Sequence, residues 1–211
     1  MNGLADTALT FGWQLCTHAI GDSANSTILK LYKTYLKGKN DKRWHIEHAQ
    51  VVDPKDQKYF KEYSVIPSVQ PTHATSDAPW AEKRLGKKRM KGAYAYKDLL
   101  KQAGYIALGT DFPVEDISPI ATYYTAVYRT NTDKGKPFQP ENALSKKDAL
   151  RGMTIWAAKS VFLDKEKGSL EPGKDADIVI LDQDLLKEKQ EKLLHTTVIY
   201  TIVTGKIMYK H

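Results

Sequence analysis

Four short apolar runs in the first 111 residues of the chain each end at a histidine or an aspartate. The polar residues that close these runs are His18, His48, His73 and Asp111. The runs are separated by stretches in which apolar residues lie three and four positions apart. This spacing is the period of a helix. This alternation is typical of parallel βα units. Because the carboxyl ends of parallel strands form one rim in a (β/α) barrel, we expect the four polar side chains to converge there.

The same pattern predicts four strands and the helices between them. The strands are expected at residues 13–17, 44–47, 65–69 and 105–109. Short polar side chains cap helix N-termini and proline is accepted in the first turn, which indicates four helix starts. These are at Asp22 or Ser23, at Asp53 with Pro54, at Ser118 with Pro119, and at Ser145. Gly104 is expected to end a further helix that covers residues 96–102.

The pattern changes beyond Lys165, where a turn is predicted from Gly168, Pro172 and Gly173. Residues 176–182 and 196–203 then have the character of strands, and residues 204–209 that of a terminal hairpin. We therefore predict two domains, a partial (β/α) barrel over residues 1–163 and a separate β segment over residues 164–211.

Composition allows one sizeable domain, or one domain with an appendage. The chain has 211 residues, of which 41% are hydrophobic. No apolar stretch approaches the ~18 to 20 residues that cross a bilayer, and the N-terminus lacks the features of a signal peptide. We expect a cytoplasmic protein without a membrane partner. Cys16 is the single cysteine, which excludes an intramolecular disulfide, and its apolar neighbours predict a small buried side chain.

The formal net charge of +7 includes a dense basic stretch, which could meet phosphates electrostatically. Its members are Lys83, Arg84, Lys87, Lys88, Arg89 and Lys91. A solvated helix and loop surface is the simpler interpretation. Nearby aromatic residues form no recognisable nucleic-acid-binding signature, so nucleic-acid binding is a weak alternative.

Several classes of enzyme are excluded by the absence of their motifs. The chain has no His-Glu-x-x-His helix, no glycine-rich phosphate loop and no Gly-x-Ser-x-Gly elbow. The run His45-Ile46-Glu47 fits the His-x-Glu element of zinc nucleobase deaminases. Those enzymes also need a Pro-Cys-x-x-Cys element, which a single cysteine cannot provide.

Five sequence motifs, in order along nearly the whole chain, resemble the amidohydrolase superfamily. They resemble in particular the family-3 amidohydrolases of the YtcJ-like and N-substituted formamide deformylase type. The motifs are Gly12-Trp13-Gln14-Leu15 with His18-Ala19-Ile20-Gly21-Asp22, Ile46-Glu47-His48-Ala49-Gln50, Val69-Gln70-Pro71-Thr72-His73 with Ser76-Asp77, Gly109-Thr110-Asp111-Phe112-Pro113-Val114, and Gly168 through Val179.

The resemblance implies both a fold and a set of metal ligands. The fold would be α/β: the C-terminal half of a metal-dependent-hydrolase TIM (β/α)8 barrel, strands five to eight, with a segment of a small β-sandwich. His18, His48 and Asp111 match the family's metal ligands after strands five, six and eight, and Asp111 also matches the proton shuttle. The family's His-x-His pair after strand one and its bridging ligand after strand four have no counterpart here. We therefore expect this chain to be the C-terminal part of a longer enzyme.

Three further residues are candidates for contacts with the substrate. His73 could polarise a substrate carbonyl or orient a leaving group, and the alternative is a loop histidine satisfied by the backbone. Asp22 is either a helix cap or a group that orients a neighbouring imidazole. Arg89 could anchor an anionic group of the substrate, although an exposed role suits its basic surroundings. For Asp111 the alternative to metal binding is a helix cap or a turn aspartate.

These observations favour a metal-dependent hydrolase that cleaves a carbon–nitrogen bond in a small amide-like substrate. One or two divalent ions, with zinc the first choice, would activate water, and Asp111 would move its proton. The alternative is a non-catalytic fragment or half-barrel subunit, because four parallel strands cannot close a barrel. Such a chain would self-associate or pair with the missing N-terminal half.

Overall fold

The computed structural model describes residues 1–132 and 134–211, which form two compact units. The first unit contains Met1–Gln70 and Ser76–Ala107, and the second contains Pro71–Thr75 and Leu108–His211. The division into domains at residues 1–163 and 164–211 stays a prediction.

The first unit is built on a sheet of four short strands in the order β1-β2-β3-β4. The strands are β1 (Cys16–Ala19), β2 (His45–His48), β3 (Ile66–Val69) and β4 (Ala107–Leu108). The first three are parallel, and their register places Cys16 opposite His45 and Ala19 opposite His48. The chain passes from the first unit to the second within β4. An α/β fold with parallel strands, as the sequence predicts, is therefore present.

The predicted strand at residues 13–17 begins too early. Trp13 belongs instead to the turn that ends the first helix, where its backbone N–H donates to the carbonyl oxygen of Ala8 at 2.7 Å. Its ring is exposed and stacks on Phe11. An apolar run alone does not determine where a strand starts, because strand pairing needs a neighbouring backbone.

Ten α-helices and one short 3₁₀-helix occur in the described residues. The α-helices are α1 (Asn2–Thr10), α2 (Asp22–Leu36), α3 (Lys58–Glu62), α4 (Pro71–Ser76), α5 (Ala78–Met90), α6 (Tyr96–Ala103), α7 (Pro119–Tyr128), α8 (Lys146–Met153), α9 (Ile155–Ser160) and α10 (Gln190–Leu193). The 3₁₀-helix is Pro140–Asn142. Helices α1, α4 and α10 have no counterpart among the predicted elements. None of these helices combines the length and apolar character that a bilayer crossing requires.

Local signals predict some of the helix ends correctly and miss others. The side chains of Ser118 and Ser145 accept hydrogen bonds from the backbones of Ala121 and Asp148, as N-caps do. Gly104 ends α6 in the left-handed conformation. Two predicted caps are wrong. Gly21 caps α2, which starts at Asp22 itself, and the residues after Asp53 form turns before α3 begins at Lys58.

The core of the first unit lies between the sheet and α2. Tyr32 and Trp44 are fully buried and their rings are 5.1 Å apart. The hydroxyl of Tyr32 lies 2.7 Å from Oγ1 of Thr17 and 3.2 Å from the carbonyl oxygen of His45, so it joins β1 to β2. This packing explains why the alternate side chains of β1 face away from α2. Cys16 is exposed, and the predicted buried cysteine is wrong.

The second unit combines helices with an antiparallel sheet in the order β5-β6-β7. The strands are β5 (Ile178–Leu181), β6 (Val198–Val203) and β7 (Lys206–Lys210). The predicted C-terminal strands and hairpin are therefore confirmed. Tyr123 in α7 is buried and donates through its hydroxyl to the carbonyl oxygen of Leu185 at 2.7 Å, which ties the helices to the segment between β5 and β6.

The basic stretch lies on α5 and just after it. Its charged side chains are exposed, as expected for a solvated surface. Helix α5 bends at Gly86, whose φ of 72° suits a residue without a side chain.

Candidate active site

Two predicted metal ligands, His18 and His48, come together in the first unit. His18 lies in β1, and His48 is the last residue of the neighbouring β2. Their ring centroids are 4.6 Å apart and the rings meet edge to face, at 76°. Because the two strands are parallel and in register, side chains near their carboxyl ends occur at the same edge of the sheet. The structure therefore presents two imidazoles side by side.

The ring of His48 is oriented by a residue that the sequence did not single out for this role. Nδ1 of His48 lies 2.8 Å from the amide oxygen of Gln70. Because a carbonyl oxygen only accepts hydrogen bonds, this contact suits a proton on Nδ1 and leaves Nε2 as the nitrogen that a neutral ring would offer to a metal. Histidines that bind metals are commonly held in this way through their other nitrogen.

The backbone at the end of β2 is also unusual. His48 has a φ of 74° and Ala49 has a φ of 42°, so two consecutive non-glycine residues are left-handed. Such conformations cost free energy and persist where the surrounding structure imposes them, often at functional sites.

In the second unit, His73 lies between two carboxylates. Its Nε2 is 2.9 Å from Oδ2 of Asp111, and its Nδ1 is 3.3 Å from Oε1 of Glu115. The His73 side chain is 11% exposed and that of Asp111 is 32% exposed. His73 lies in the short helix α4 rather than in a loop. The pair His73–Asp111 therefore joins two of the predicted site residues.

Glu115 is a site residue that sequence reasoning missed. It follows Asp111 by one turn, and its backbone N–H donates to the carbonyl oxygen of Asp111 at 3.4 Å. Asp111 itself has a φ of 62°. The only signal in the sequence is a second carboxylate four positions after the first, and this spacing is common on solvated surfaces.

Asp22 and Arg89 are paired with one another. Nε and Nη2 of Arg89 donate to the two carboxylate oxygens of Asp22 at 2.7 and 2.8 Å. This hydrogen bonding to Arg89 holds the pKa of Asp22 below its ordinary value. A bidentate pair of this kind is well oriented, but both side chains are substantially exposed, which limits its energy. The predicted contacts of the two residues with substrate stay predictions.

A second cluster that was not predicted holds the chain that follows His48. Nε2 of Gln50 donates to Oδ2 of Asp77 at 2.7 Å, and the hydroxyl of Tyr94 donates to the same oxygen at 2.8 Å. Burial raises the pKa of the Tyr94 hydroxyl, so it remains a donor. Gln50 and Asp77 both belong to the motifs that carry the family resemblance.

The donor groups fit a divalent metal ion. Imidazole nitrogens and carboxylate oxygens are the ligands that zinc accepts in hydrolytic sites, and several other first-row metals accept them too. The contact between His48 and Gln70 uses Nδ1 of the ring, so Nε2 is the nitrogen that would face a metal. His18 and His48 in the first unit, and Asp111 with His73 in the second, are the residues with this chemistry.

Comparison with solved structures identifies the class of protein. The structure of an uncharacterized metal-dependent hydrolase from Pyrococcus horikoshii OT3 matches with a TM-score of 0.78 and 34% sequence identity. The match covers 90% of this chain and 38% of that chain. The chain thus has a mixed α/β fold that is similar to the fold of this metal-dependent hydrolase.

The family follows from the sequence comparison. The model of the Amidohydrolase family matches residues 1–209, and the chain belongs to this family. It is 40% identical over 201 residues to the protein LONG AFTER FAR-RED 3 of Arabidopsis thaliana, and 29% identical over 201 residues to YtcJ of Bacillus subtilis, which is named as an amidohydrolase. It is 26% identical over 216 residues to the N-substituted formamide deformylase of Arthrobacter pascens. The resemblance expected from the motifs is confirmed.

The matches cover most of this chain but a smaller part of each relative. They include 94% of the chain for the first two relatives and 100% for the third. The chain spans 34%, 38% and 39% of the lengths of these three proteins.

Proposed function

We propose that this chain belongs to a metal-dependent enzyme that hydrolyses a carbon–nitrogen bond in a small amide-like substrate. The observation that carries the proposal is the pair His18 and His48, with rings 4.6 Å apart and with His48 oriented by Gln70. Two imidazoles in this arrangement are suited to hold a metal through one nitrogen each. Zinc is the ion we expect first, as one or two ions in the intact enzyme.

The roles of the residues follow from their chemistry. His18 and His48 would bind the metal as neutral imidazoles, and Asp111 would contribute a carboxylate oxygen. A divalent ion held there would lower the pKa of a bound water to about 7 and polarise a carbonyl oxygen. Asp111 would accept the proton of that water and pass it to the leaving nitrogen. His73, in hydrogen-bond contact with Asp111, would polarise the substrate carbonyl or orient the leaving group.

The choice of an amide-like substrate is supported by the relatives. One of them is named for deformylation of N-substituted formamides, and another is named as an amidohydrolase. Arg89 and Asp22 would contact the substrate. The guanidinium of Arg89, which binds the Asp22 carboxylate through two hydrogen bonds, would bind an anionic group of the substrate in place of that carboxylate. The partner we propose is therefore a small molecule rather than a nucleic acid.

The architecture proposed for the intact enzyme is a TIM (β/α)8 barrel in which residues 1–163 supply strands five to eight. Residues 164–211 would supply part of a small β-sandwich. The four-stranded order β1-β2-β3-β4 and the separate antiparallel sheet β5-β6-β7 support this assignment. A second candidate is a subunit that acts only with another half, because the sheet has two edge strands in the described residues.

The first prediction concerns zinc and turnover. Because a catalytic zinc commonly has three protein ligands, we expect the 211-residue chain to bind zinc weakly and to hydrolyse amides slowly or not at all. A full-length protein that contains it should be active, and Asp111→Asn should lower its kcat by about a hundredfold or more. Elemental analysis gives the bound metal, and a panel of N-acyl and N-formyl amines gives the rate.

The matched control is Asp98→Asn, which removes a half-exposed carboxylate in α6. It should leave zinc content and turnover unchanged. Stoichiometric, tightly bound zinc and full turnover in the isolated 211-residue chain would contradict the ligand count. An active full-length Asp111→Asn variant would remove the proton-transfer role.

A further inference from the structure

The side chain of Asn25 in α2 lies at the centre of four backbone carbonyl groups. Asn25 is fully buried. Its Nδ2 is 3.0 Å from the carbonyl oxygens of Ala19 and Gly21, and 3.1 Å from those of Ile20 and Val51. Carbonyl oxygens only accept hydrogen bonds, so the nitrogen and not the oxygen of the amide must face them. The orientation of this side chain is thus determined by its surroundings.

The four carbonyl groups belong to the two segments that carry His18 and His48. Ala19, Ile20 and Gly21 follow His18 directly, and Val51 lies three residues after His48. The same segments are joined by one backbone hydrogen bond, from the N–H of Val51 to the carbonyl oxygen of Ile20 at 2.9 Å. One buried amide therefore ties the chain after β1 to the chain after β2.

The segment after β2 needs such support because it is bent unfavourably. His48 and Ala49 are both left-handed, and residues other than glycine keep this conformation only where neighbouring contacts impose it. The two hydrogens of the amide can be shared among four acceptors as three-centre bonds. Losing them would leave buried carbonyl groups with fewer donors and would let the bend relax.

We propose that Asn25 is a positioning residue that sets the separation of the His18 and His48 rings and thereby the affinity of the site for zinc. The inference rests on the proposed function for the metal, but the separation of the rings can be measured without it. The four hydrogen bonds of the Asn25 amide go to backbone carbonyl oxygens and to neither imidazole, so Asn25 acts through the backbone that follows each histidine.

The decisive variant is Asn25→Asp. It keeps the shape of the side chain but removes both N–H donors: the ionised carboxylate donates no hydrogen bond and would oppose four carbonyl oxygens, and the protonated form has a single O–H. Oδ1 of Asn25 has no hydrogen-bond partner among the described residues, so the change acts at the nitrogen position. Asn25→Ser, which keeps one donor, is the milder variant. Asn142→Asp is the matched control, because Asn142 is a buried asparagine of the second unit.

The experiment uses the 211-residue chain at a temperature where circular dichroism shows each variant to be folded. Proton contacts between the two rings are followed by nuclear Overhauser spectroscopy, and zinc affinity is measured by titration calorimetry with zinc alone. We expect Asn25→Asp to lose the contact between His18 and His48 and to bind zinc about tenfold to a hundredfold more weakly. Asn25→Ser should fall in between, and Asn142→Asp should resemble the wild type in both measurements.

Each outcome has a definite meaning. A folded Asn25→Asp variant that keeps the ring contact and binds zinc as tightly as the wild type would overturn the inference. If that variant does not fold, an unchanged ring contact and affinity in Asn25→Ser would overturn it equally. A wild-type chain that shows the ring contact but binds no zinc would contradict the weak zinc binding predicted for this chain. The ring contact in Asn25→Asp would still decide the role of Asn25, because an unchanged contact would overturn it.

Discussion

His45 is buried in β2 with a different polar partner at each ring nitrogen. Its Nε2 lies 2.7 Å from Oε1 of Glu47, and its Nδ1 lies 3.8 Å from the sulfur of Cys16. Burial opposes protonation of the ring, but hydrogen bonds to Cys16 and Glu47 outweigh it and raise the pKa of His45 to about 9. Burial also opposes ionisation of Glu47, but its hydrogen bonds to His45 and Ser68 outweigh burial and lower the pKa of Glu47.

A raised pKa in the folded state makes stability depend on pH. The protonated His45 stabilises the fold fully below the pKa of an unfolded histidine, about 6.5, and this contribution is lost as the pH rises through about 9. We expect the free energy of unfolding to fall by on the order of 1–2 kcal/mol between pH 6 and pH 9. Urea titrations at several pH values measure this change.

Glu47→Gln is the variant that tests the cause. It keeps the size of the side chain but removes the negative charge, so the fall in stability between pH 6 and pH 9 should become smaller. Lysines and tyrosines titrate similarly in both proteins and cancel in the comparison. Equal pH dependence in the wild type and in Glu47→Gln would show that the His45–Glu47 pair does not contribute.

At the scale of single elements, contacts between residues close in sequence stabilise the start of α8 at Ser145. Its hydroxyl oxygen accepts a hydrogen bond from the backbone N–H of Asp148 at 3.1 Å and lies 2.7 Å from a carboxylate oxygen of the same residue. These contacts form a capping arrangement for α8. They involve residues three apart, and therefore they could be predicted without knowledge of the fold.

We expect Ser145→Ala to lower the free energy of unfolding by about 1 kcal/mol, because the N–H of Asp148 loses its acceptor. Ser145→Asp should retain most of the stability, since aspartate also caps helices and its charge favours the helix N-terminus. Chemical denaturation of the three proteins measures both effects. A Ser145→Ala variant as stable as the wild type would mean that water replaces the cap without cost.

At the scale of the whole molecule, the C-terminal sheet carries several exposed apolar side chains. Ile207 and Met208 in β7 are 62% and 67% exposed, and Val179 in β5 is 56% exposed. Both β5 and β7 are edge strands of this sheet. Exposed apolar patches and open strand edges favour association of chains.

We therefore expect the chain to self-associate with increasing concentration, and Ile207→Lys to weaken this association. Leu186→Lys is the control, since Leu186 is another exposed apolar residue but lies outside the strands. Sedimentation velocity over a range of concentrations distinguishes the two variants. A chain that stays monomeric at all concentrations, or an equal effect of both substitutions, would contradict a role for this sheet.

How much could be predicted from the sequence depends on the distance over which the causes act. The sequence correctly predicts the helix caps at Ser118 and Ser145 and the C-terminal strands, because these features depend on neighbours a few residues away. The sequence does not predict the start of β1, because that start depends on pairing with the backbone of β2. The cap predicted at Asp22 was wrong because Gly21 takes that position and the carboxylate binds Arg89 instead.

The sequence alone determined the order of the elements, through local propensity and the family motifs. It also determined that a histidine or an aspartate follows each of the four apolar runs. Only the tertiary structure decided which side chains hold those residues in place. Gln70 orients His48 from 22 residues away, and Glu115 and Asn25 gain their partners from distant segments. The physical reason is that a buried hydrogen bond depends on where the folded backbone brings its donor and acceptor, and no pattern of neighbouring residues records that position.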